Sequence, residues 1–266
     1  ALPLAYLAAA HILWLAGRRD VVEAMPLVHG VNGAFRWLFV GPVSIQASEF
    51  TKLALVVFMA GYYGSHPRWA PQFVRGVVKP FIIIGGVLML LLLGGSLSLT
   101  MITGAMVLGV WFVAGGRLRY FVIMGLLSAL LIGIVLNLST ERLVRVTNSW
   151  LHPEEHRRTT GYQLYHSQLA LGSGGSTGLG FNRSRMKERY LPEVHTDFIL
   201  AIVGEELGYV GMLAVMVCYL LLFGAGCVVS MTAVDRQGTL LGVGICLGLA
   251  LQAVINIGVV SGALPT

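Results

Sequence analysis

From Pro80 to Gly116 the chain carries no Asp, Glu, Lys or Arg. A helix that crosses the hydrocarbon of a bilayer needs about 20 apolar residues. The stretch is therefore too long for one crossing and suits two joined by a tight turn. Gly94-Gly95-Ser96 supplies the break, because glycine and serine favour turns. Composition agrees: of 266 residues 56% are apolar and only 11% charged, whereas a soluble domain has about a quarter of its residues charged. Too little charge remains to cover a water-facing surface. Soluble enzymes, disordered tails and disulfide scaffolds are excluded, and a polytopic membrane protein is expected.

Further apolar runs lie at Leu2–Ala16, Ile45–Gly64, Tyr120–Leu138, Phe198–Val229 and Leu240–Val260. With the two halves of the uncharged stretch they make about seven spans. The expected fold class is all-α, a polytopic helical bundle forming a single membrane domain over residues 1–266. A long extracytoplasmic loop, residues 139–197, separates spans five and six. The 34 glycines suit close helix packing in lipid. Cys218, Cys227 and Cys246 all lie in apolar runs, so neither a disulfide frame nor a thiolate metal site is expected. The chain opens on Ala1 with no basic segment and cleavage site of a signal peptide. The short first run suggests a piece of a longer protein.

Short loops set orientation through Lys and Arg. Arg68, Arg75 and Lys79, then Arg117 and Arg119, then Arg236 occupy loops that share one side by parity. That side is predicted to be cytoplasmic. The opposite side receives Gly17–Ser44 and the 139–197 loop, whose charges count little because long loops translocate regardless.

Ionisable groups inside spans are costly and mark function by default. Gln46, Glu49 and Lys52 lie three apart, along one helical face. Glu49 and Lys52 are expected to pair, either as a lock between helices or as the polar lining of a substrate cavity. Glu205 and Glu206 are adjacent and point to different sides of a helix. One is expected at the water interface, the other on backbone or a basic side chain. Thr196 or Asp197 is placed to cap the following span. Gln252 and Asn256 are expected to hydrogen-bond between helices.

The 139–197 loop is the richest segment. It holds His152, His156, His166 and His195, and Arg183, Arg185, Lys187 and Arg189 recur at every second position. Such a strip beside a membrane suits an anionic ligand or lipid headgroups, and equally a solvated loop. The glycines from Gly172 to Gly180 lack the Gly-Lys-Ser/Thr ending of a phosphate loop, so a tight re-entrant turn is expected there. His152-Pro153-Glu154-Glu155-His156 matches the inverted zinc-protease pattern H-x-x-E-H. It lacks the amphipathic helix that would bring both histidines to one metal, and no metal ligands are assigned.

Three blocks resemble one family. GYQLYHSQLALGSGG followed by LPEVHTDFILAIVGEELGYVG is similar to the outer-loop signature of the SEDS family, the FtsW/RodA peptidoglycan glycosyltransferases. VNGAFRWLFVGPVSIQASEFTKLAL resembles its N-G-x-x-R-W…G-P…Q-P-S-E-x-x-K segment, and AVDRQGTLLGVGICLGLALQAVINIGVVSGALPT resembles its penultimate helix. Family members have about ten spans, so the resemblance implies that roughly two are missing at the start and one at the end. It implies a multi-pass protein of the bacterial cytoplasmic (inner) membrane that joins lipid II units into glycan strands on the outer face, releasing undecaprenyl pyrophosphate. A class B penicillin-binding protein and other division or elongation membrane proteins would be partners, and no nucleic acid. Division and elongation roles are not separated. A non-catalytic lipid II-binding or scaffold member, or a lipid II flippase, is the alternative.

The resemblance also shows departures. The family's loop has an Asp-Pro pair before Gly-Tyr-Gln, its Asp serving as base; without gaps, His156-Arg157 stand there, and His152 aligns with another loop acid. The family turn P-D-x-G-T reads Gly95-Ser96-Leu97-Ser98-Leu99, and Ala47 replaces a proline. Joining two sugars needs a base for the attacking hydroxyl and cations for the departing pyrophosphate. His156, Glu155 and Glu154 are the candidate catalytic residues, since a neutral imidazole accepts protons near pH 7. Arg36, Glu49, Lys52, Arg183, Arg185, Lys187, His195 and Asp197 are the candidate substrate-binding residues, arginine forks matching phosphate oxygens. No cofactor is assigned, though a divalent cation on the pyrophosphate is compatible with the chemistry.

Overall fold

The computed structural model describes residues 2–23, 25–27, 37–137, 147–151, 153–159, 161–184, 186 and 197–265. Helices dominate: α1 Leu2–Leu15, α2 Arg19–Glu23, α3 Ala47–Ser65, α4 Lys79–Leu93, α5 Leu97–Val113, α6 Leu118–Asn137, α7 Tyr162–Gly174, α8 Ile199–Met231 and α9 Arg236–Ser261. Each of the seven expected spans contains a helix, although Ile45 and Gln46 at the start of the second belong to a strand, so Gln46 does not share a helical face with Glu49 and Lys52. Val74–Leu93, α6, α8 and α9 contain segments long and apolar enough to cross a membrane, while α1 and α5 are shorter apolar helices. The all-α expectation holds apart from one hairpin, β1 Trp37–Val40 and β2 Val43–Gln46, paired antiparallel with Trp37 opposite Gln46.

The chain falls into two compact units, residues 1–122 with 226–249, and residues 123–225 with 250–266. In the first unit, α3 and α5 pack through Val56, Met59, Ala60, Met106, Val107 and Val110, all nearly fully buried. The predicted break is real: α4 ends at Gly94, Gly95 takes φ +81°, and α5 begins at Leu97. That backbone conformation favours a residue without Cβ. Pro80 sits in the first turn of α4, where its missing N–H is not needed. Glycines of α9 admit close neighbours, as expected: a Cβ on Gly244 would strike Val56 and Val110, and one on Gly248 would lie 2.8 Å from Met106 Sδ.

Three short loops meet at one end of this unit, in line with the parity argument. Trp111 Nε1 donates to the Ala70 carbonyl at 3.1 Å, and Arg236 donates to the Ala114 carbonyl at 2.6 Å. On the second unit, Phe198, Ala201 and Ile202 of the α8 start pack with Ala170 of α7 and Val260 of α9. Leu126, Leu130, Leu220 and Leu221 point outward, an arrangement that suits hydrocarbon and would be costly in water.

Candidate functional site

The first group of polar residues is set by the hairpin. Gly41 and Pro42 make a two-residue turn, with Gly41 at φ +62°, and β2 runs straight into α3 without a linker. Gln46 holds the N-cap position with extended backbone and no side-chain cap bond. One turn on, Lys52 Nζ lies 2.9 Å from Glu49 Oε2; the lysine side chain is 9% exposed and the glutamate 48%. The expected pair therefore forms, with the ammonium buried and the carboxylate reaching outward.

Stability alone does not account for Lys52. A cation near a helix N-terminus opposes the helix dipole, and taking it from water costs several kcal/mol unless it is well paired. Beside it Ser48 is buried, and its hydroxyl has no hydrogen-bond partner among the described residues. An apolar groove of about 280 Å³ opens next to this helix start, walled by Leu4, Leu38, Ile45, Ala47, Phe50 and Ala54. The groove is walled from α3 by Ala47, Phe50, Thr51 and Ala54, whereas Ser48 turns instead to a small cavity with Leu4, Leu7 and Leu91.

The second group lies in the other unit. Residues 153–159 form a turn carrying Glu154, Glu155 and His156. The His156 carbonyl accepts the N–H groups of Thr159 at 2.9 Å and Gly161 at 3.1 Å. A Cβ at Gly161 would lie 2.8 Å from the Pro153 carbonyl oxygen, so the turn closes only on glycine. Glu154 and Glu155 are exposed and His156 half-buried. Immediately after comes α7, a helix within the segment expected to be a long extracytoplasmic loop. Tyr162 and Tyr165 rings lie 4.3 and 5.4 Å from His166, and burial holds that imidazole below its ordinary pKa. Ser167 Oγ donates to the Val260 carbonyl at 2.8 Å, and Trp150 Nε1 to the Gly262 carbonyl at 2.8 Å.

The glycine run is the tight turn expected of it. Gly175, Gly178 and Gly180 all have positive φ. Leu179 and Gly180 donate to the Glu205 and Glu206 carbonyls at 2.9 and 3.0 Å, and Tyr209 and Val210 donate back to Gly175 and Ser176. These bonds straddle Gly208, where α8 breaks at φ +67°. Both glutamates are buried, at 1% and 7% exposure, so neither lies at the water interface as expected. Glu205 Oε2 accepts from Ser184 Oγ at 2.5 Å and from the backbone N–H of Met186 at 3.4 Å, the backbone bond expected of one of the two acids. Glu205 thus anchors Ser184 and Met186, a role the sequence did not reveal; GEELG next to a glycine turn was its one signal.

Arg183 is exposed next to Ser184. Asp197 accepts at its carbonyl from Asn256 Nδ2 at 3.1 Å. Asn256 therefore ties a helix to a loop backbone, where a bond between helices was expected. Arg36, Arg185, Lys187 and His195, with Arg189, His152 and Thr196, lie outside the described residues. Glu49 and Lys52 belong to the first unit, and Glu154, Glu155, His156, Arg183 and Asp197 to the second. Among the described residues no three His, Cys, Asp or Glu side chains are grouped to hold a metal ion.

The family model of the cell cycle proteins FtsW, RodA and SpoVE matches residues 11–266. The chain belongs to the FtsW/RodA/SpoVE family. The probable peptidoglycan glycosyltransferase FtsW of Legionella pneumophila is 37% identical over 89% of this chain and 60% of its own length. Stage V sporulation protein E of Bacillus subtilis is 37% identical over 88% of this chain and 64% of its own. The chain thus spans less than two thirds of these FtsW/RodA/SpoVE relatives. A chain from a peptidoglycan synthase complex that coordinates polymerization and crosslinking superposes with TM-score 0.74 at 25% identity, covering all of this chain and 77% of that one. The rod shape determining protein RodA of Thermus thermophilus shares the fold, with TM-score 0.59 at 23% identity over 97% of this chain and 71% of that one. This FtsW/RodA/SpoVE member is accordingly a multi-pass membrane protein.

Proposed function

We propose that the protein is a lipid II polymerase that extends glycan strands on the outer face of the bacterial inner membrane. The observation that carries this reading is the closed turn of residues 153–159, which displays Glu154, Glu155 and His156 just ahead of α7. Family membership supports it, since relatives are named peptidoglycan glycosyltransferases. In the reaction an acceptor sugar hydroxyl attacks the donor's anomeric carbon. The C–O bond to pyrophosphate breaks, and the hydroxyl proton passes to the base.

His156, with Glu155 and Glu154 beside it, is that base. Arg183, together with Arg36, Arg185 and Lys187, balances the pyrophosphate charge, and His195 and Asp197 border the same segment. Lys52 and Glu49, paired at the start of α3, hold the head of the lipid substrate. A divalent cation bridging the pyrophosphate is compatible with this chemistry. A class B penicillin-binding protein is the partner that would crosslink the product; the related chain from a complex coordinating polymerization and crosslinking supports such pairing.

Glycan gels of the full-length protein given lipid II test the reading. Loss of polymer on replacing His156, Glu155 and Glu154 together is expected, and unchanged polymer would refute the base assignment. His156-Arg157 in place of the family's Asp-Pro favours a second reading, a lipid II-binding scaffold without catalysis. His156→Asp separates the two: a large gain in polymer from an inert parent marks a lost catalyst. A vesicle assay for lipid II translocation tests the flippase alternative.

A further inference from the structure

The end of the first unit where the three short loops meet carries Arg68, Arg75, Lys79, Arg117 and Arg119, all exposed. None of them pairs with a carboxylate among the described residues, whose ion pairs are Arg18–Asp20 and Lys52–Glu49. The acid nearby, Asp235, is turned to its own helix start, accepting from Gly238 N at 3.3 Å. Aromatic rings interleave with the cations. Arg119 lies 4.5 Å over the Tyr120 ring, Arg75 lies 5.7 Å from the Trp69 ring, and Phe73 meets Tyr120 at 5.4 Å.

Phe73, Val74 and Leu118 are more than half exposed. They continue into the exposed apolar residues Ile82 and Ile83 on α4 and Val122 on α6. Charge and grease are thus layered along two neighbouring helix ends. In water the apolar layer would be a liability; at the boundary of a bilayer both layers find partners. Aromatic rings favour this level of the membrane, and long basic side chains extend from it towards headgroups.

We propose that this end is a binding site for anionic phospholipid. Arg75, Lys79 and Arg119 take the headgroup phosphate, while Phe73, Val74 and Leu118 lie among the first acyl carbons. A soluble acidic protein fits less well, because it would offer nothing to the apolar layer that runs on into α4 and α6. By the distribution of basic loops this is the cytoplasmic leaflet, where anionic lipids attract such segments. The site is independent of the polymerase reading.

The test uses the chain in vesicles of phosphatidylcholine with spin-labelled phosphatidylglycerol or spin-labelled phosphatidylcholine, reading the motionally restricted lipid by electron paramagnetic resonance. The unaltered chain is expected to prefer the anionic label several-fold, and the preference should fall as salt rises to about 0.5 M. Arg75→Gln/Lys79→Gln/Arg119→Gln should abolish most of it, whereas Arg157→Gln/Arg158→Gln should leave it intact. Phe73→Ala should weaken it with every charge retained. Equal restriction of both labels, an equal loss in the Arg157/Arg158 variant, or full displacement by inorganic phosphate would each overturn the proposal.

Discussion

Ser184 donates its hydroxyl to the Glu205 carboxylate within the protein interior, so the segment bearing Arg183 is moored to the start of a membrane helix. Glu205→Ala would remove the carboxylate that accepts from that hydroxyl and from the Met186 N–H, at about 1–3 kcal/mol. Lower thermal stability in detergent is expected, with faster tryptic cleavage after Arg183. Ser184→Ala removes the bond to Glu205 and should cost about 1 kcal/mol.

The Glu49–Lys52 pair is lopsided, and substitutions should expose this. Glu49→Gln leaves a buried ammonium without its counter-charge and should lower the melting temperature. Lys52→Met removes the charge along with the need for a partner, so its melting temperature should match or exceed that of the parent. Its glycan synthesis from lipid II should nevertheless disappear. Stability and activity would then move in opposite directions, an outcome that a merely structural ion pair does not give.

Glycines divide into two kinds. At Gly178 φ is +81° and a Cβ would collide with the Glu206 carbonyl; alanine there should cost at least about 1–3 kcal/mol and reduce the yield of folded protein. Gly125 on α6 has nothing within 4 Å of a built Cβ. Gly125→Ala should be neutral or stabilise by up to about 1 kcal/mol. Melting temperatures of the two variants in one detergent decide this.

His166 sets a pH dependence. Burial lowers its folded pKa below the unfolded value of about 6.5, so the unfolded chain binds the proton more readily. Stability is full above that value and declines as pH falls through it towards the folded pKa. His166→Gln should flatten the slope of melting temperature against pH between about 7 and 5.

The spans were legible because lipid leaves the backbone little choice: apolar runs become helices, and Gly94-Gly95-Ser96 could only be a break. The hairpin was not, because Trp37–Val40 and Val43–Gln46 are four-residue strands whose second member merges with the apolar run of α3. Gly41-Pro42 was the available hint. Helix α7 hid for a different reason. Its buried stripe is Leu164, Ser167, Ala170 and Gly174, mostly small residues that a hydrophobicity count passes over but that let backbones approach. For the candidate site, the Glu49–Lys52 pairing followed from spacing alone. Glu205's partner did not, since Ser184 is brought to it by the long-range fold of the loop.

The junction of β2 and α3 has one more implication. Gln46 closes the hairpin and Ala47 opens the helix, so no slack separates them. One inserted residue would turn α3 by about 100° relative to the strand pair, swinging Lys52 off its present bearing. An inserted residue should therefore be tolerated better at the tip, Gly41-Pro42, than at this junction. The hairpin acts as the index mark by which the helix is dialled to its orientation.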